Sequence, residues 1–183
     1  MKTVVMYYSY SGTTKALATQ TALELGADIE EIIEVKRPFL PVGVYRAVTC
    51  SKTEIHPIKS QLEDYDNIVI MSPVWADHPV SAIYSLIDCL PEGKQVELVM
   101  VSGGGGTKSS AESTKALVTA RGCEVTSYSN VEVRIDQNTG EVITKSLDVK
   151  KEPSPYVVPA VIGVGCCLLL IAGIYGYFKL CKK

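Results

Sequence analysis

The chain is short of the residues that build metal sites and disulfide frameworks. It has two histidines, His56 and His78, and six cysteines that nowhere form a Cys-X-X-Cys pair. A zinc site needs three or four His or Cys ligands at close spacing, and a disulfide-bonded domain needs paired cysteines. The sequence therefore excludes both classes and predicts reduced thiols. It also offers no recognisable catalytic triad, so we assign no catalytic residue and no metal ligand.

The chain also lacks a secretion signal and an excess of basic residues. The N-terminal segment MKTVVMYYSYSG has no apolar stretch of the length that a signal peptide needs. The 18 Lys and Arg residues are outnumbered by 20 Asp and Glu residues. Nucleic-acid binding requires a basic face for the phosphates. We therefore expect a cytoplasmic domain that does not bind nucleic acid.

One segment lacks charge altogether. Residues 157–178 form a run of 22 uncharged, mostly apolar residues, and a helix rising ~1.5 Å per residue would cross a bilayer with it. The alternative, a buried helix of a globular core, is disfavoured because such helices usually keep a polar face. The sequence predicts a transmembrane helix over 156–179 and a basic tail over 180–183. The part before the run carries 15 basic and all 20 acidic residues, a net charge of −5.

Strand-like and helix-like segments alternate before this run. Strands are predicted at 2–8, 28–35, 66–72, 95–102 and 124–131, and helices at 13–25, 79–90 and 109–121. Ser109 and Glu112 have the spacing of a capping box. Residues 36–53, which contain two prolines, are predicted to be a long connection, and residues 54–64 a short helix. The alternation predicts a parallel sheet with helices on both faces.

The pattern changes after the fifth predicted strand. Apolar residues alternate at Val131, Val133 and Ile135, and the turn-forming residues 137–140 follow. This spacing predicts a β-hairpin and not a further helix.

Hydroxyl groups are concentrated in the loop after the first predicted strand. The loop reads SYSGTT and places Ser9, Ser11, Thr13 and Thr14 around Gly12. A helix N-terminus offers free backbone N–H groups and a partial positive charge, so the loop predicts a phosphate site. The alternative is an ordinary capped helix start. The loop is not a P-loop, because the terminal Gly-Lys-Ser/Thr is missing.

Two further loops follow strands whose carboxyl ends share the same edge of the predicted sheet, where ligands bind. The loop SPVWADHP over 72–79 contains Trp75, the single tryptophan, which could stack on a flat ring or cover the edge of the core. The loop SGGGGT over 102–107 contains four glycines, which are costly to order. Such a loop is useful where backbone must approach a ligand closely.

Together these loops resemble those of the flavodoxins. The similar segments are YYSYSGTTKALA, EDYDNIVIMSPVWADHP and VMVSGGGGT, within residues 2–130. The resemblance implies an α/β, flavodoxin-like, doubly wound five-stranded parallel sheet that binds FMN noncovalently. By the same resemblance the FMN-binding residues are Ser9, Tyr10, Ser11, Gly12, Thr13 and Thr14 at the phosphate, Pro73, Val74, Trp75, Ala76 and Asp77 beside the isoalloxazine, and Ser102, Gly103, Gly104, Gly105 and Gly106 along its other edge.

The chain departs from the flavodoxin pattern at the ring. Ala76 stands where many flavodoxins have a glycine whose peptide turns over during reduction, so the one-electron-reduced flavin is expected to be less favoured. Asp77 near the ring would disfavour the fully reduced anion. The third loop has glycines where many flavodoxins have a second aromatic residue, which would leave one flavin face open. The predicted hairpin replaces the family's last helix, and the transmembrane segment is foreign to ordinary flavodoxins.

Three functions are compatible with this sequence. The leading one is a membrane-tethered electron carrier that exchanges electrons with a membrane-bound or peripheral redox partner protein. The second is an FMN-dependent NAD(P)H:quinone-type oxidoreductase, in which His78 could donate a proton to a quinone oxygen. The third is a binding module that keeps the fold without the cofactor. The predicted organisation is a flavin domain over 1–130, a hairpin extension and linker over 131–155, the transmembrane helix over 156–179 and the tail over 180–183.

Overall fold

The computed structural model describes residues 1–104, 106–136 and 139–147, which all lie in one compact unit. Its sheet has the strand order β2-β1-β3-β5-β6-β7, with the short strand β4 paired to the end of β3. The strands β2, β1, β3, β5 and β6 are parallel, and β7 is antiparallel to β6. The strands are β1 (Thr3–Tyr7), β2 (Asp28–Glu31), β3 (Asn67–Trp75), β4 (His78–Pro79), β5 (Gln95–Ser102), β6 (Glu124–Ile135) and β7 (Val142–Ser146). The predicted α/β fold with a mostly parallel sheet is confirmed.

The helices cover both faces of the sheet. They are α1 (Thr13–Leu25), α2 (Leu40–Val48), α3 (Ser81–Asp88) and α4 (Ala111–Ala120), with a 3₁₀ turn at Leu62–Asp64. Leu17 and Ala18 of α1 pack on Val5 and Tyr7, which face one side of β1. The other face is covered mainly by α3 and by Val118 of α4. Because both faces are buried, the central strands contain the apolar runs 4–7, 68–71 and 98–101, in which apolar and polar residues do not alternate.

The segment between β2 and β3 was wrongly predicted. Residues 36–53 contain the helix α2, and Pro41 lies in its first turn, where a missing N–H has no cost. The prolines therefore mark the start of a helix and not a loop. The helix predicted over 54–64 is absent from these described residues except for the 3₁₀ turn at its end. Instead, Glu34 and Ile55 form an isolated antiparallel bridge beyond the end of β2.

Two helix starts were also wrongly predicted. Pro79 lies in β4 and pairs with Val74, so α3 begins at Ser81. The capping box at Ser109 and Glu112 is not formed, because Ser110 is the N-cap and makes no side-chain cap. The Ser109 side chain donates instead to Asp77.

The predicted hairpin is confirmed as β6 and β7. Residues 137 and 138 of its turn lie outside the described residues, but both ends of the turn are bonded. The Gly140 N–H donates to the Asp136 carbonyl at 2.8 Å, and the Asp136 N–H donates to the Glu141 carbonyl at 2.9 Å. Since Ser102 at the end of β5 pairs with Glu132, the hairpin extends past the carboxyl edge of the parallel sheet.

None of the helices in the described residues is long and apolar enough to cross a bilayer. The run 157–178, the helix predicted over 156–179, the tail over 180–183 and residues 148–155 of the predicted linker lie outside the described residues, as does Gly105. The transmembrane segment therefore stays a prediction.

Candidate functional site

The three predicted loops come together at the carboxyl edge of the sheet. They follow β1, β3 and β5, which are neighbours in the sheet. The first and second loops touch through the rings of Tyr10 and Trp75, whose centroids are 5.1 Å apart. The second loop reaches the segment after the third through Asp77, which accepts a hydrogen bond from the Ser109 N–H at 3.0 Å. The three loops predicted to bind the cofactor are thus adjacent in the structure.

Within the first loop, Ser9 holds the backbone. Its Oγ accepts hydrogen bonds from the N–H groups of Gly12 at 3.1 Å and Lys15 at 3.2 Å. The turn places Gly12 at φ +95°, a conformation that L side chains rarely adopt, with open space where a Cβ would be. Ser9 therefore shapes the loop, whereas the sequence predicted it as one of several equivalent phosphate-binding hydroxyls.

The start of α1 offers unused donors. Among the described residues, no carbonyl or side chain accepts from the N–H groups of Thr13 and Thr14. Ser11 and Gly12 are exposed, Thr13 is half-buried and Thr14 is buried. Two free N–H groups at a helix N-terminus, beside exposed hydroxyls, fit a phosphate monoester such as that of FMN.

Arg37 lies over this loop. Its guanidinium donates to the Tyr10 carbonyl and lies 4.2 Å from the centre of the Tyr10 ring. The cation therefore lies beside the predicted phosphate loop and the aromatic pair. Arg37 was missed because it belongs to the segment predicted to be an unstructured connection.

A buried acid lies behind the first loop. Glu34 is 7% exposed, and the Tyr8 hydroxyl donates to its Oε2 at 2.8 Å. Burial of Tyr8, together with its bond to Glu34, raises the pKa of this phenol well above its ordinary value. Tyr8, Ser9, Glu34 and Arg37 are among the residues that line a cavity of about 90 Å³. The pair fixes the end of β1 against the chain that leaves β2.

Trp75 is held on two sides. Its ring meets Tyr10 edge-on at an interplanar angle of 81° and is packed against the apolar core beneath the loop. On another side it touches α2 at Gly43, where an added Cβ would overlap the ring and lie 3.1 Å from its Cη2 atom. Trp75 remains half-buried. It therefore covers the core edge and still has surface to offer a ligand, so the two interpretations are compatible.

The residues after Trp75 form a tight, strained turn. Val74 pairs with Pro79 and Trp75 with His78, which leaves Ala76 and Asp77 as a two-residue hairpin loop. Both have positive φ, +48° and +68°, as a type I′ turn requires. Such turns favour Asn and Gly, and a non-glycine residue there costs of order 1–3 kcal/mol.

The start of α4 holds this turn. The Ser109 N–H and hydroxyl both donate to the Asp77 carboxylate, and the Ser110 hydroxyl donates to the Asp77 carbonyl at 2.5 Å. The carboxylate predicted to act on the flavin ring is thus engaged by α4. Ser109 and Ser110 were missed because serine at a helix start usually caps its own helix.

The third loop is open at its tip and fixed at its end. Gly103 and Gly104 are exposed, with no atom within 4 Å of an added Cβ, while Ser102 is buried and accepts from the Gly104 N–H at 3.3 Å. The buried Thr107 donates to the Asn130 Oδ1 through its N–H at 3.0 Å and its hydroxyl at 2.6 Å. Gly106 packs against the same Asn130 side chain. Asn130 was missed because it lies on the neighbouring strand β6.

His78 is not a helix-start residue, since it lies in β4. Its Nδ1 is 4.0 Å from the Cys50 Sγ, and the ring is half-buried. This position is at the end of the second loop, next to the turn at Ala76 and Asp77. Pro73 and Val74 are half-buried and belong to β3, which leads into the turn, and Val74 pairs with Pro79.

A comparison with protein families supports the cofactor. The model of the family described as NADPH-dependent FMN reductase matches residues 1–138. The chain belongs to the NADPH-dependent FMN reductase family. The FMN assignment implied by the flavodoxin resemblance is confirmed at the level of this FMN-binding family, and the donors at the start of α1 fit its phosphate.

Solved structures show the same fold. A flavoprotein from Lactobacillus acidophilus NCFM, solved in complex with FMN, is 24% identical with a TM-score of 0.61 and covers 70% of this chain and 92% of its own. A protein assigned as a flavoprotein from Bacteroides eggerthii DSM 20697 is 22% identical with a TM-score of 0.60, covering 70% and 87%. No curated protein matches the chain.

Proposed function

We propose that this family member binds FMN between its three loops and acts as an NAD(P)H-dependent oxidoreductase that passes electrons to a quinone-type acceptor. When bound, FMN supplies the capacity to accept two electrons from a nicotinamide and to release them to an acceptor. The family match supports a nicotinamide as the electron donor.

The chain's residues have distinct proposed roles. The N–H groups of Thr13 and Thr14 bind the phosphate, Trp75 lies against the ring, and the tip at Gly103 and Gly104 leaves the opposite side accessible. An open face is what a second substrate needs to reach the ring.

The observation that carries the choice of enzyme over carrier is the fixed turn at Ala76 and Asp77. Many flavodoxins, the one-electron carriers that this chain resembles, have a glycine at the position of Ala76, and its peptide turns over during reduction. Here the turn is closed by β3–β4 pairing and bound to Ser109 and Ser110. A peptide fixed in this way gives little extra stabilisation to the half-reduced cofactor, which favours two-electron chemistry.

A one-electron carrier is the second candidate. The part of the chain before the apolar run has a net charge of −5, and an acidic exterior suits docking to basic patches of a redox partner protein. A cofactor-free binding module is disfavoured by the donors at the start of α1.

The deciding experiment combines absorption with turnover. The full chain is purified in detergent from riboflavin-supplied cells, reduced stepwise, and then mixed with NADPH or NADH and a soluble quinone. We expect flavin bands near one equivalent, steady nicotinamide oxidation and no long-wavelength band during reduction. A strong long-wavelength band without nicotinamide oxidation would establish the carrier instead. A colourless protein that takes up no added FMN would overturn both redox functions.

A substitution that covers the open face of the flavin tests the same proposal. Gly103 has no close neighbours and no positive φ, so Gly103→Phe can fold while placing a ring over the third loop. We expect FMN to remain bound and nicotinamide oxidation to fall by tenfold or more, on the order of 1.4 kcal/mol. Gly103→Ala is the matched control and should behave as the native chain.

We also propose that residues 157–178 attach the chain to a membrane with the flavin domain in the cytoplasm. The length of this run and its lack of charge support the attachment. In intact cells a membrane-impermeant thiol reagent should label Cys181, beyond the run, and leave the exposed Cys50 and Cys89 unlabelled. Cys181→Ser is the control, and the reverse labelling pattern would contradict this orientation.

A further inference from the structure

The helix α2 and the residue before it expose an unusual amount of apolar surface. Phe39, Leu40, Val42, Tyr45 and Val48, hereafter the α2 surface, are all exposed, with Phe39 at 76% and Tyr45 at 60%. Val42, Tyr45 and Val48 recur every three residues, on the side of the helix opposite to the buried Gly43 and Ala47. Single exposed apolar residues are common, but a contiguous group of this size marks an interaction site.

The charged residues in the segment that contains the α2 surface are all basic. Residues 35–53 contain four basic residues and no acidic residue, although the chain before the apolar run is acidic overall. Lys52 is paired with Asp88. Within the described part of the chain, Lys36, Arg37 and Arg46 form no ion pair with an acidic group. Arg37 is engaged by Tyr10 at the flavin site, and Arg46 donates to the Thr53 hydroxyl at 3.4 Å. Apolar and aromatic side chains flanked by Lys and Arg are typical of helices that lie in a membrane interface.

The α2 surface lies at the same end of the sheet as the predicted flavin site. Helix α2 touches Trp75 through Gly43, and Trp75 ends β3 at the carboxyl edge. The described chain also ends near this edge, because Ser146 of β7 pairs with Val131, next to the pair formed by Ser102 and Glu132.

The covalent link to the apolar run is short. Only residues 147–156 separate β7 from that run, and a fully extended segment of this length spans about 35 Å. The sheet itself is about 24 Å wide from β2 to β7, at ~4.8 Å between neighbouring strands. A domain attached in this way cannot leave the membrane surface, and a surface at the carboxyl edge is within reach of it.

We propose that the α2 surface docks onto an anionic lipid bilayer, with Phe39, Val42 and Tyr45 in the interface and Lys36 and Arg46 among the headgroups. Docking brings the open edge of the flavin site close to the bilayer, where an apolar acceptor such as a lipid-soluble quinone is dissolved. The inference rests on the membrane attachment that forms part of the proposed function, but not on the flavin chemistry.

The test uses the full chain reconstituted in vesicles of phosphatidylcholine, with and without phosphatidylglycerol. A photoreactive benzophenone amino acid is placed at Tyr45 in one variant and at Leu23 in another. Leu23 lies on α1 and is 79% exposed, so it is a matched control for exposure. The measurements are co-flotation with the vesicles and the yield of lipid cross-links after illumination.

We expect both variants to float, and cross-linking to lipid to be at least fivefold higher from position 45 than from position 23. The yield should rise with phosphatidylglycerol. Arg46→Gln should lower the ratio of docked to undocked domain about fivefold, the effect of one basic residue near an anionic surface. Phe39→Ser, which removes an exposed side chain, should lower the yield without unfolding the domain.

Each other outcome overturns the docking proposal in an identifiable way. Flotation with equal, low cross-linking at both positions would keep the attachment and reject the lipid contact. Cross-links from position 45 to a second copy or to another protein would assign the α2 surface to a protein partner. A chain that does not float would reject the attachment as well. Flavin absorption of the same samples reports separately on the proposed redox function.

Discussion

The two left-handed turns at the candidate site are made in opposite ways. In the first loop the chain places a glycine, Gly12, at φ +95°, and open space surrounds it. In the second loop it places Ala76 and Asp77 at +48° and +68°, where alanine is disfavoured and aspartate is tolerated. The first turn costs little strain. The second is maintained by hydrogen bonds from Ser109 and Ser110 to Asp77.

The first turn depends on residues nearby in the sequence, whereas the second depends on tertiary contacts. The turn at Gly12 is closed by Ser9, three residues away, so nearby sequence is enough to form it. The turn at Asp77 depends on a helix start 32 residues further along the chain. It can form fully only when α4 is in place, which couples the ring loop to the packing of the domain.

The largest expected effect comes from removing the hydrogen bond between Asp77 and Ser109. Asp77→Ala removes both the carboxylate that accepts from Ser109 and a residue type that tolerates positive φ. We expect the free energy of unfolding to fall by about 2 kcal/mol, as for a charged hydrogen-bond group. Chemical denaturation measures it. Asp88→Ala, which breaks only an exposed ion pair with Lys52, is the control and should cost less than about 1 kcal/mol.

The glycine turn can be strained in the same way. Gly12→Ala and Gly26→Ala each place a side chain at positive φ, one at each end of α1 and both without close neighbours. Each should lower the free energy of unfolding by about 1–2 kcal/mol. Only Gly12→Ala should weaken FMN binding, about tenfold or 1.4 kcal/mol, because it moves the N–H groups at the phosphate. Equal FMN affinity for both variants would show that the phosphate does not bind at this loop.

The Glu30 carboxylate, which lies outside the three loops, can show whether hydrogen bonds of this kind depend on the charge of the acceptor. Glu30 accepts from the N–H groups of Lys59 at 2.7 Å and Ser60 at 2.8 Å. Burial acts to raise the pKa of Glu30, but the hydrogen bonds from Ser60 and Lys59 outweigh it and lower the pKa below its ordinary 4.5. Glu30→Gln should cost about 1 kcal/mol at neutral pH.

The sign of the pH dependence follows from that lowered pKa. The folded state favours the ionised carboxylate, so its stabilisation is complete above the ordinary pKa and is lost as the pH falls through the folded value. The difference in the free energy of unfolding between the native chain and Glu30→Gln should therefore disappear at acidic pH. A difference in the free energy of unfolding that does not change with pH would show that the charge of Glu30 contributes nothing to stability.

The smallest expected effect has the opposite sign. Ala76→Gly relieves a strained φ while leaving the bonds to Asp77 in place. It should raise the free energy of unfolding by about 0.5–1 kcal/mol. It should also let the peptide after Trp75 turn over, so a long-wavelength absorption band should increase during stepwise reduction. A band unchanged from the native chain would show that the turn does not limit this form.

Much of the fold was predictable because it depends on local pattern. Buried strands read as short apolar runs, Gly26 ended α1 and the alternation at Val131 marked a hairpin. The failures have local causes too. Pro41 starts α2, and Pro79 pairs in a short β-ribbon, so proline was present in regular structure in both places.

The loops of the candidate site could be located from the sequence, but the residues that support them could not. Ser9 to Thr14, Trp75 and the glycines lie at strand ends or directly after them, and strand ends can be recognised in the sequence. Arg37, Gly43 and Asn130 contact those loops from separate parts of the chain, and no spacing in the sequence links them. The transmembrane helix and the tail remain predictions, because they lie outside the described residues.

Gly43 has one further consequence. Its backbone lies so close to the Trp75 ring that no side chain fits between them. There is therefore no compressible layer between α2 and the ring. A force applied to the outer side of α2 reaches the aromatic platform after crossing a single helix. Any load on that helix is thus transmitted directly to the Trp75 ring, which we propose lies against the cofactor.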